Sequence, residues 1–389
     1  MMNLENSVLG KQNELAKNML VVMIRSLASN WCFPLCGFAS KSLSADYLYA
    51  IIWRTISAVE TQSKLKVLFL TFDGASTNRR FYSLHRVDNE GIVYKTVNLY
   101  DVTRDIYFIS DVPHLLKTTR NNFSNSFSHK HSKKLWRNGM DISWMHVVKL
   151  FENHCELNLY SPCPKLSRSH IDLVSYNYMK VNLAAQILSE SVACALEDLY
   201  GQEVQETVIF LRHMNKFFDC LNVRSLSEGK NKRNPNLQPY VSVDDERLAY
   251  LCEDFLGYLV EWEEMVEKRN GKFTRNEKAT MLLSHQTMTG LKMSVMSICA
   301  SVKIMLNAGA EYVLTHSFNQ DPLEQHFGLY RHKSGANSNP SVYEVQNMMS
   351  TIRTVAAQAL PTKRGNIKCS ESAFDIDNTQ LPRRKSHRQ

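Results

Sequence analysis

Near residue 112 the hydrophobic period of the chain changes, and that change restricts its possible folds more than any other feature. Before it, short apolar runs alternate with amphipathic stretches. Residues 19–26, MLVVMIRS, form an apolar, β-rich run, followed by an irregular stretch containing Pro34 and Gly37. The segment SLSADYLYAIIWRTISAVETQSKL carries Leu48, Ile51, Ile52, Thr55 and Val59 near 3.6 spacing, with Ser44 placed to cap a helix. KVLFLTFD reads as a strand buried on both faces, NRRFYSLHRV as a helix, and residues 106–111, IYFISD, as a second strand ending in aspartate. Strand, helix, strand, helix, strand predicts an α/β sheet with parallel pairs. In such sheets function gathers at the carboxyl ends of strands, where Asp73 and Asp111 both stand.

From about 142 to 315 the patterns are almost purely helical, interrupted at 225–240 by a loop rich in Asn, Gly, Pro and charge. The last 25 or so residues, ending LPRRKSHRQ, read as a disordered tail. A chain of 389 residues with 44% apolar content can fill two or three cores. Its formal charge of +8 is a modest surplus that suits nucleic acid or acidic surfaces. Cys32 and Cys36 have no matching second pair for zinc, and the nine cysteines read as reduced thiols of an intracellular protein. The early run MLVVMIRSLA is broken by Arg25 and lacks a cleavage site. It predicts neither a signal peptide nor a spanning helix, and no membrane partner is expected.

Phosphodiester chemistry by two metal ions needs several carboxylates converging on cations about 3.5–4 Å apart. Mg²⁺ suits that work because it binds a few carboxylates and keeps sites for water and phosphate. Asp73 and Asp111 are two candidates, and Asp321 and Glu324 in NQDPLEQHFG, three apart, share a helix face. An aspartate after a strand is more often a turn residue or N-cap, so spacing alone does not make these residues catalytic.

The stretches KVLFLTFDGASTNRRFYSLH, IYFISDVPHLLKTTRNNF, MKVNLAAQILSESVA, NKFFDCLNVRS and LTHSFNQDPLEQHFGLYRHKSGANSNPSVYEVQ, in this order, resemble the P-element transposase family, which includes the THAP-domain transposase-like proteins. The resemblance runs from about residue 14 to 360. It implies an α/β RNase H-like domain interrupted by a large all-α insertion that binds GTP. The expected division is 14–125 and 316–362 for the RNase H-like core, 126–315 for the insertion and 363–389 for a basic tail. By resemblance, Asp73 and Glu324 are catalytic and hold Mg²⁺ or Mn²⁺, and Asp321 helps to hold the nucleotide. Asp111 matches a motif that opens the insertion.

The family's first catalytic aspartate lies on a first strand, followed by a hairpin of two further strands. Residues 19–26 are expected to be the third of these strands, with the two opening strands missing. No aspartate precedes Asp46. The expectation is therefore an N-terminally truncated or domesticated copy that does not cut DNA alone; the alternative is a non-catalytic guanine-nucleotide and DNA-binding module.

No Walker loop occurs. Guanine recognition asks for a carboxylate, and phosphates ask for lysine or backbone N–H groups. The positions matching the family's nucleotide site are Lys165, Val181, Ser189, Asn215 and Asp219; Asn215 and Asp219, four apart, share a helix face. For DNA, SHKHSKKLWR (128–137) and the stretch after Glu324, with Arg331, His332 and Lys333, are the basic candidates, Arg331 and Lys333 being preferred by their closeness to Glu324. The family role also implies DNA ends as partner, self-association and a nuclear location.

Overall fold

The computed structural model describes residues 16–355 apart from 17, 28, 30, 88–90, 129–131, 157–159 and 334–340. The expected tail at 363–389 lies outside the described residues.

Two strands, not one, precede the first helix. β1 (Asn18–Arg25) pairs antiparallel with β2 (Cys32–Ser40). The sequence reads as irregular here because Pro34 cannot donate to a ladder. The fold solves this with a register shift: Val22 pairs with Cys36 and Met23 with Pro34, so Leu35 is an extra residue. Gly37 is required by close packing, since a Cβ there would meet Met19 Cε at 2.4 Å and Met349 Sδ at 2.9 Å. The run 19–26 is thus followed by an antiparallel partner strand in the stretch that reads as irregular from the sequence.

Helix α1 (Ala45–Gln62) starts at Ser44, whose Oγ accepts the Tyr47 N–H. There follow β3 (Phe69–Phe72), α2 (Ser76–Ser83), β4 (Lys95–Val97), β5 (Asp105–Ser110) and α3 (Val112–Ser124). The sheet order is β3-β5-β4, with β3 and β5 parallel and β4 antiparallel to β5. β4 is too short and too polar to read from sequence. β3 is half-buried along its whole length, not buried on both faces; among the described residues it is an edge strand. The pairing of Phe72 with Ser110 sets Asp73 and Asp111 side by side at the carboxyl edge.

The helical region begins with a small ribbon of β6 (Trp136–Arg137) and β7 (Met140–Asp141). Its helices are α4 (Trp144–Leu150), α5 (Arg168–Ile171), α6 (Val181–Ile187), α7 (Glu190–Tyr200), α8 (Gln205–Leu221), α9 (Glu228–Lys232), α10 (Glu246–Tyr250), α11 (Leu256–Glu267), α12 (Arg275–Thr280) and α13 (His285–Asn307). The chain then returns to the sheet with α14 (Asp321–Lys333) and α15 (Val342–Val355). One large core runs from Ile109 through Trp144, Phe210 and Trp262 to Phe318. A smaller one joins α1 and α2 to Ile106 and Phe108, with Leu20 and Val22 of the hairpin packed against it.

Helix α13 ties the two cores together. Beyond Tyr107, β4 no longer covers the edge of β5, and serines of α13 take over the ladder. Ser294 Oγ accepts from Ser110 N–H (3.0 Å) and donates to Ser110 C=O (2.8 Å), while Ser297 Oγ lies 2.6 Å from Phe108 C=O and 2.9 Å from Tyr94 C=O. The stripe Gly290, Ser294, Ser297, Ser301 permits this approach; a Cβ on Gly290 would meet Leu115 Cδ2 at 2.6 Å. α13 is long and apolar enough to cross a bilayer by length and composition, yet 67% of its most apolar window is buried within the fold.

Ser294→Ala leaves the Ser110 N–H and C=O unpaired in a buried place and is expected to cost about 2–3 kcal/mol. Ser301, bonded to its own helix at Ser297 C=O, is the control, with an expected cost of about 1 kcal/mol or less. Urea midpoints of the two variants check this.

Candidate active site and nucleotide-binding face

Asp73 follows β3 directly and is exposed. Its Oδ1 accepts the Ala75 N–H (2.9 Å) and Asn78 Nδ2–H (2.7 Å), so it also shapes the turn into α2. A turn role and an exposed position at a strand's carboxyl end coincide in this residue.

Asp111, 3% exposed, is held differently. It caps α3, accepting the His114 N–H at 3.0 Å, and its other oxygen accepts the Gln320 N–H at 2.9 Å. Burial raises its carboxyl to about 7; Asp321 and Glu324 push the same way, and the two backbone N–H groups oppose them. With both oxygens occupied by backbone, Asp111 is a clamp between the sheet, α3 and the entry to α14.

Asp321 and Glu324 open α14, as the spacing predicts. Asp321 is buried and bonds His316 Nε2 at 2.7 Å. Burial alone would raise its carboxyl, but His316, with Arg224 and Arg25 near it, holds it below the usual range. Arg25 in turn donates to His316 C=O (3.1 Å), joining the hairpin to this turn. Glu324 points outward. Lost hydration raises its carboxyl, Asp321 and Asp73 add to the rise, and Lys117 and Arg331 oppose it. The structure therefore brings Asp73, Asp111, Asp321 and Glu324 into one electrostatic neighbourhood and gives them different tasks.

Among the described residues, no three His, Cys, Asp or Glu side chains converge closely enough to hold a metal ion. Asp111 and Asp321 are committed to N–H groups and to His316, which leaves Asp73 and Glu324. Two carboxylates can share a hydrated Mg²⁺ with a substrate phosphate, but they do not order a metal pair. The donor set does not fit a complete two-metal centre.

The nucleotide candidates lie on several elements of the helical region. Asn215 and Asp219 do face each other on α8: Asp219 accepts from Asn215 Nδ2 (3.1 Å) and from Asn234 Nδ2 (2.8 Å). Burial raises the Asp219 carboxyl against these bonds. Ser189 caps α7 and Val181 opens α6, while Lys165 is exposed on the loop before α5. Among the described residues, no hydrogen bond joins Lys165, Val181 or Ser189 to the Asn215–Asp219 pair. Fully buried Arg120 donates to the C=O groups of Asn177 (3.0 Å) and Tyr178 (3.2 Å), fixing the turn that leads into Val181.

Three family models match this chain in order. The TNP-like RNase H N-terminal domain covers residues 1–85, the TNP-like GTP-binding insertion domain 113–234, and the TNP-like RNase H C-terminal domain 316–347. The Transposable element P transposase of Drosophila melanogaster is 23% identical over 241 residues, 61% of this chain and 29% of that protein. The DNA transposase THAP9 of Homo sapiens is 27% identical over 236 residues, 58% of this chain and 25% of that protein.

This chain is a P-element transposase-like protein.

It spans less than a third of the length of either curated relative. The fold is also that of the solved Drosophila P element transposase strand transfer complex, with a TM-score of 0.70 over 88% of this chain and 72% of that one, at 21% identity. In this P-element transposase-like chain, the polar layer around Asp321 contains residues the sequence did not point to: Arg25, Asn222, Arg224, His316 and Asn319. Asn319 Oδ1 accepts the Asp321 N–H (3.2 Å) and Asn319 Nδ2 reaches Asn222 Oδ1 (3.5 Å). Asn222 and Arg224 lie inside the quoted motif NKFFDCLNVRS; His316 sits in a 3₁₀ turn, where helical periodicity gives no signal.

Of the basic stretches, SHKHSKKLWR is largely structural where described. Lys133 Nζ donates to Ala279 C=O and Leu282 C=O, Arg137 pairs with buried Glu206 at 3.0 Å, and Arg269 covers the Trp136 ring at 4.1 Å. Lys134, in the same stretch, is exposed. Arg331 is exposed on α14, on the Glu324 side; the side chains of His332 and Lys333 lie outside the described residues.

Because the folded Asp111 carboxyl titrates near 7 and an unfolded one near 4, the folded chain holds the extra proton between those pH values. Its contribution to stability is present below pH 4 and is lost as pH rises through 7. The stability of Asp111→Asn minus that of wild type is therefore expected to grow from pH 4 to 7. Denaturant midpoints at each pH check the sign, and a difference that does not vary with pH contradicts it.

Proposed function

We propose that this chain is the nucleotide-binding and DNA-binding part of a P-element-type transposition apparatus. Asp73 and Glu324 are two of its catalytic carboxylates and the ligands for Mg²⁺ or Mn²⁺. The observation that carries the reading is their shared neighbourhood: Asp73 leaves the end of β3, Glu324 leaves the first turn of α14, and the Asp73 charge is near enough to help raise the Glu324 carboxyl. GTP occupies the insertion, with Asp219 reading the guanine edge, Asn215 orienting it, and Lys165, Val181 and Ser189 lining the phosphate end beside Asp321. Exposed Arg331, with Lys333, guides the DNA backbone toward Glu324, in the nucleus and as a self-associated assembly.

The 389 residues by themselves do not cut DNA on this reading. No aspartate precedes Asp46, and Asp73 and Glu324 alone leave the reacting groups loosely placed, which costs orders of magnitude in rate.

A purified chain is expected to bind GTP in preference to ATP, and Asp219→Ala to weaken GTP about 10- to 100-fold by removing a charged acceptor for the base. Equal affinity for GTP and ATP contradicts the assignment. With labelled DNA, GTP and Mg²⁺ or Mn²⁺, wild type and Glu324→Ala are expected to be equally inactive. Cleavage by wild type that Glu324→Ala abolishes would show that the site is complete without the first aspartate.

A further inference from the structure

The motif RNNFSN, residues 120–125, takes no part in the site described above, although it begins less than three turns after Asp111. Its helix, α3, forms one wall of a cavity of about 400 Å³ whose rim includes Gly74, next to Asp73. The other walls are α2 and the first turn of α13. Among the described residues no Asp or Glu lines this space, whereas Arg79, His114 and Lys133 do. Two N–H groups of Lys133 are taken by Ala279 C=O (2.9 Å) and Leu282 C=O (2.8 Å), so its ammonium is fixed with one N–H left to donate. Arg79 is held in place by Nη1 donation to Gly74 C=O, with the rest of its guanidinium fork available.

The amides are the second independent observation. Asn121, Asn125 and Gln286 line the cavity. Asn121 is oriented by Arg120 Nε, which donates to its Oδ1 at 2.8 Å, and by its own Nδ2, which donates to Tyr178 C=O at 3.4 Å, leaving one N–H and one lone pair. Asn125 Oδ1 is buried and has no hydrogen-bond partner among the described residues, a costly state unless something donates to it. Amides offer donor and acceptor together, as the edge of a nucleobase requires, and fixed cations without carboxylates suit a phosphate.

We infer that this cavity receives one nucleotide of a DNA strand, the unit beside the phosphate presented to Asp73, with its base against Asn121, Asn125 and Gln286 and its phosphate on Arg79 and Lys133. The inference deepens the proposed function and rests on it. A strand lying along the mouth of the cavity would unstack one base into it, which favours single-stranded or frayed ends over intact duplex.

The test is fluorescence anisotropy with a labelled single-stranded 12-mer on the full chain, in wild type, Arg79→Ala and Thr118→Leu. Thr118 faces the cavity, so Thr118→Leu fills it while leaving every charge in place. Arg79→Ala is expected to weaken binding at least fivefold and to reduce the salt slope by about 0.7. Thr118→Leu is expected to weaken binding at least fivefold with the salt slope unchanged. Cross-linking from a 5-iodouracil placed next to the scissile position should map to 118–125 or 284–287. Binding that is intact in Thr118→Leu, with cross-links elsewhere, overturns the cavity but leaves the proposed function standing. No DNA binding by wild type overturns both. Loss of GTP affinity in Thr118→Leu, with DNA binding unchanged, overturns the DNA strand as occupant and points to free nucleotide.

Discussion

The Asp111 carboxylate joins parts of the chain that are 209 residues apart. One oxygen takes the His114 N–H and starts α3, through which the chain leaves the sheet; the other takes the Gln320 N–H, where the chain comes back. The helical excursion thus begins and ends on a single side chain at the carboxyl edge of β5. Keeping a carboxylate there is costly, because the site is nearly dry and Asp321 and Glu324 add negative charge. Two N–H groups offset part of that cost, and a proton bound up to about pH 7 offsets more. This contact helps to place Glu324, since Gln320 immediately precedes the first turn of α14.

The same economy appears at both edges of the three-stranded sheet. Unpaired strand edges invite association with other chains. On β5, where β4 ends, Ser294 and Ser297 supply the missing ladder partners from a helix. On β3, Gln320 Nε2 donates to Thr71 C=O (2.9 Å), and Thr71 Oγ1 donates to Phe318 C=O (2.8 Å). Residues just before α14 therefore cover the edge nearest Asp73, and they are tied back to the hairpin through Arg25 and His316. Three parts of the chain meet at this edge, so the carboxylates are positioned by rigid elements and not by loops alone.

Much of this was legible in the sequence, for identifiable reasons. The apolar runs of β3 and β5 are strong period signals, so their aspartates were found at the strand ends, and the D-x-x-E pair landed on one helix as its spacing requires. The helical region was equally plain. The failures have local causes. β2 was hidden by Pro34, which a bulge at Leu35 accommodates, and β4 is only three residues long. Helix α13, at 285–307, is helical in pattern yet packs on β5, a contact that periodicity alone does not reveal. Charge was a guide to position and not to partners: in SHKHSKKLWR, Lys133 also serves internal carbonyls and Arg137 a buried glutamate. Asp111 was found as a residue but not as a clamp, because a contact across 209 residues leaves no periodic trace.

Hydrogen–deuterium exchange on the Asp111→Ala variant tests the clamp most directly. The contact described here predicts that protection falls together in the first turn of α3 and in the Gln320–Phe327 segment, while β1, β2 and α8 keep theirs. Loss confined to α3, with Gln320–Phe327 as protected as in wild type, would show that α14 is held against the sheet without Asp111 and would contradict the account.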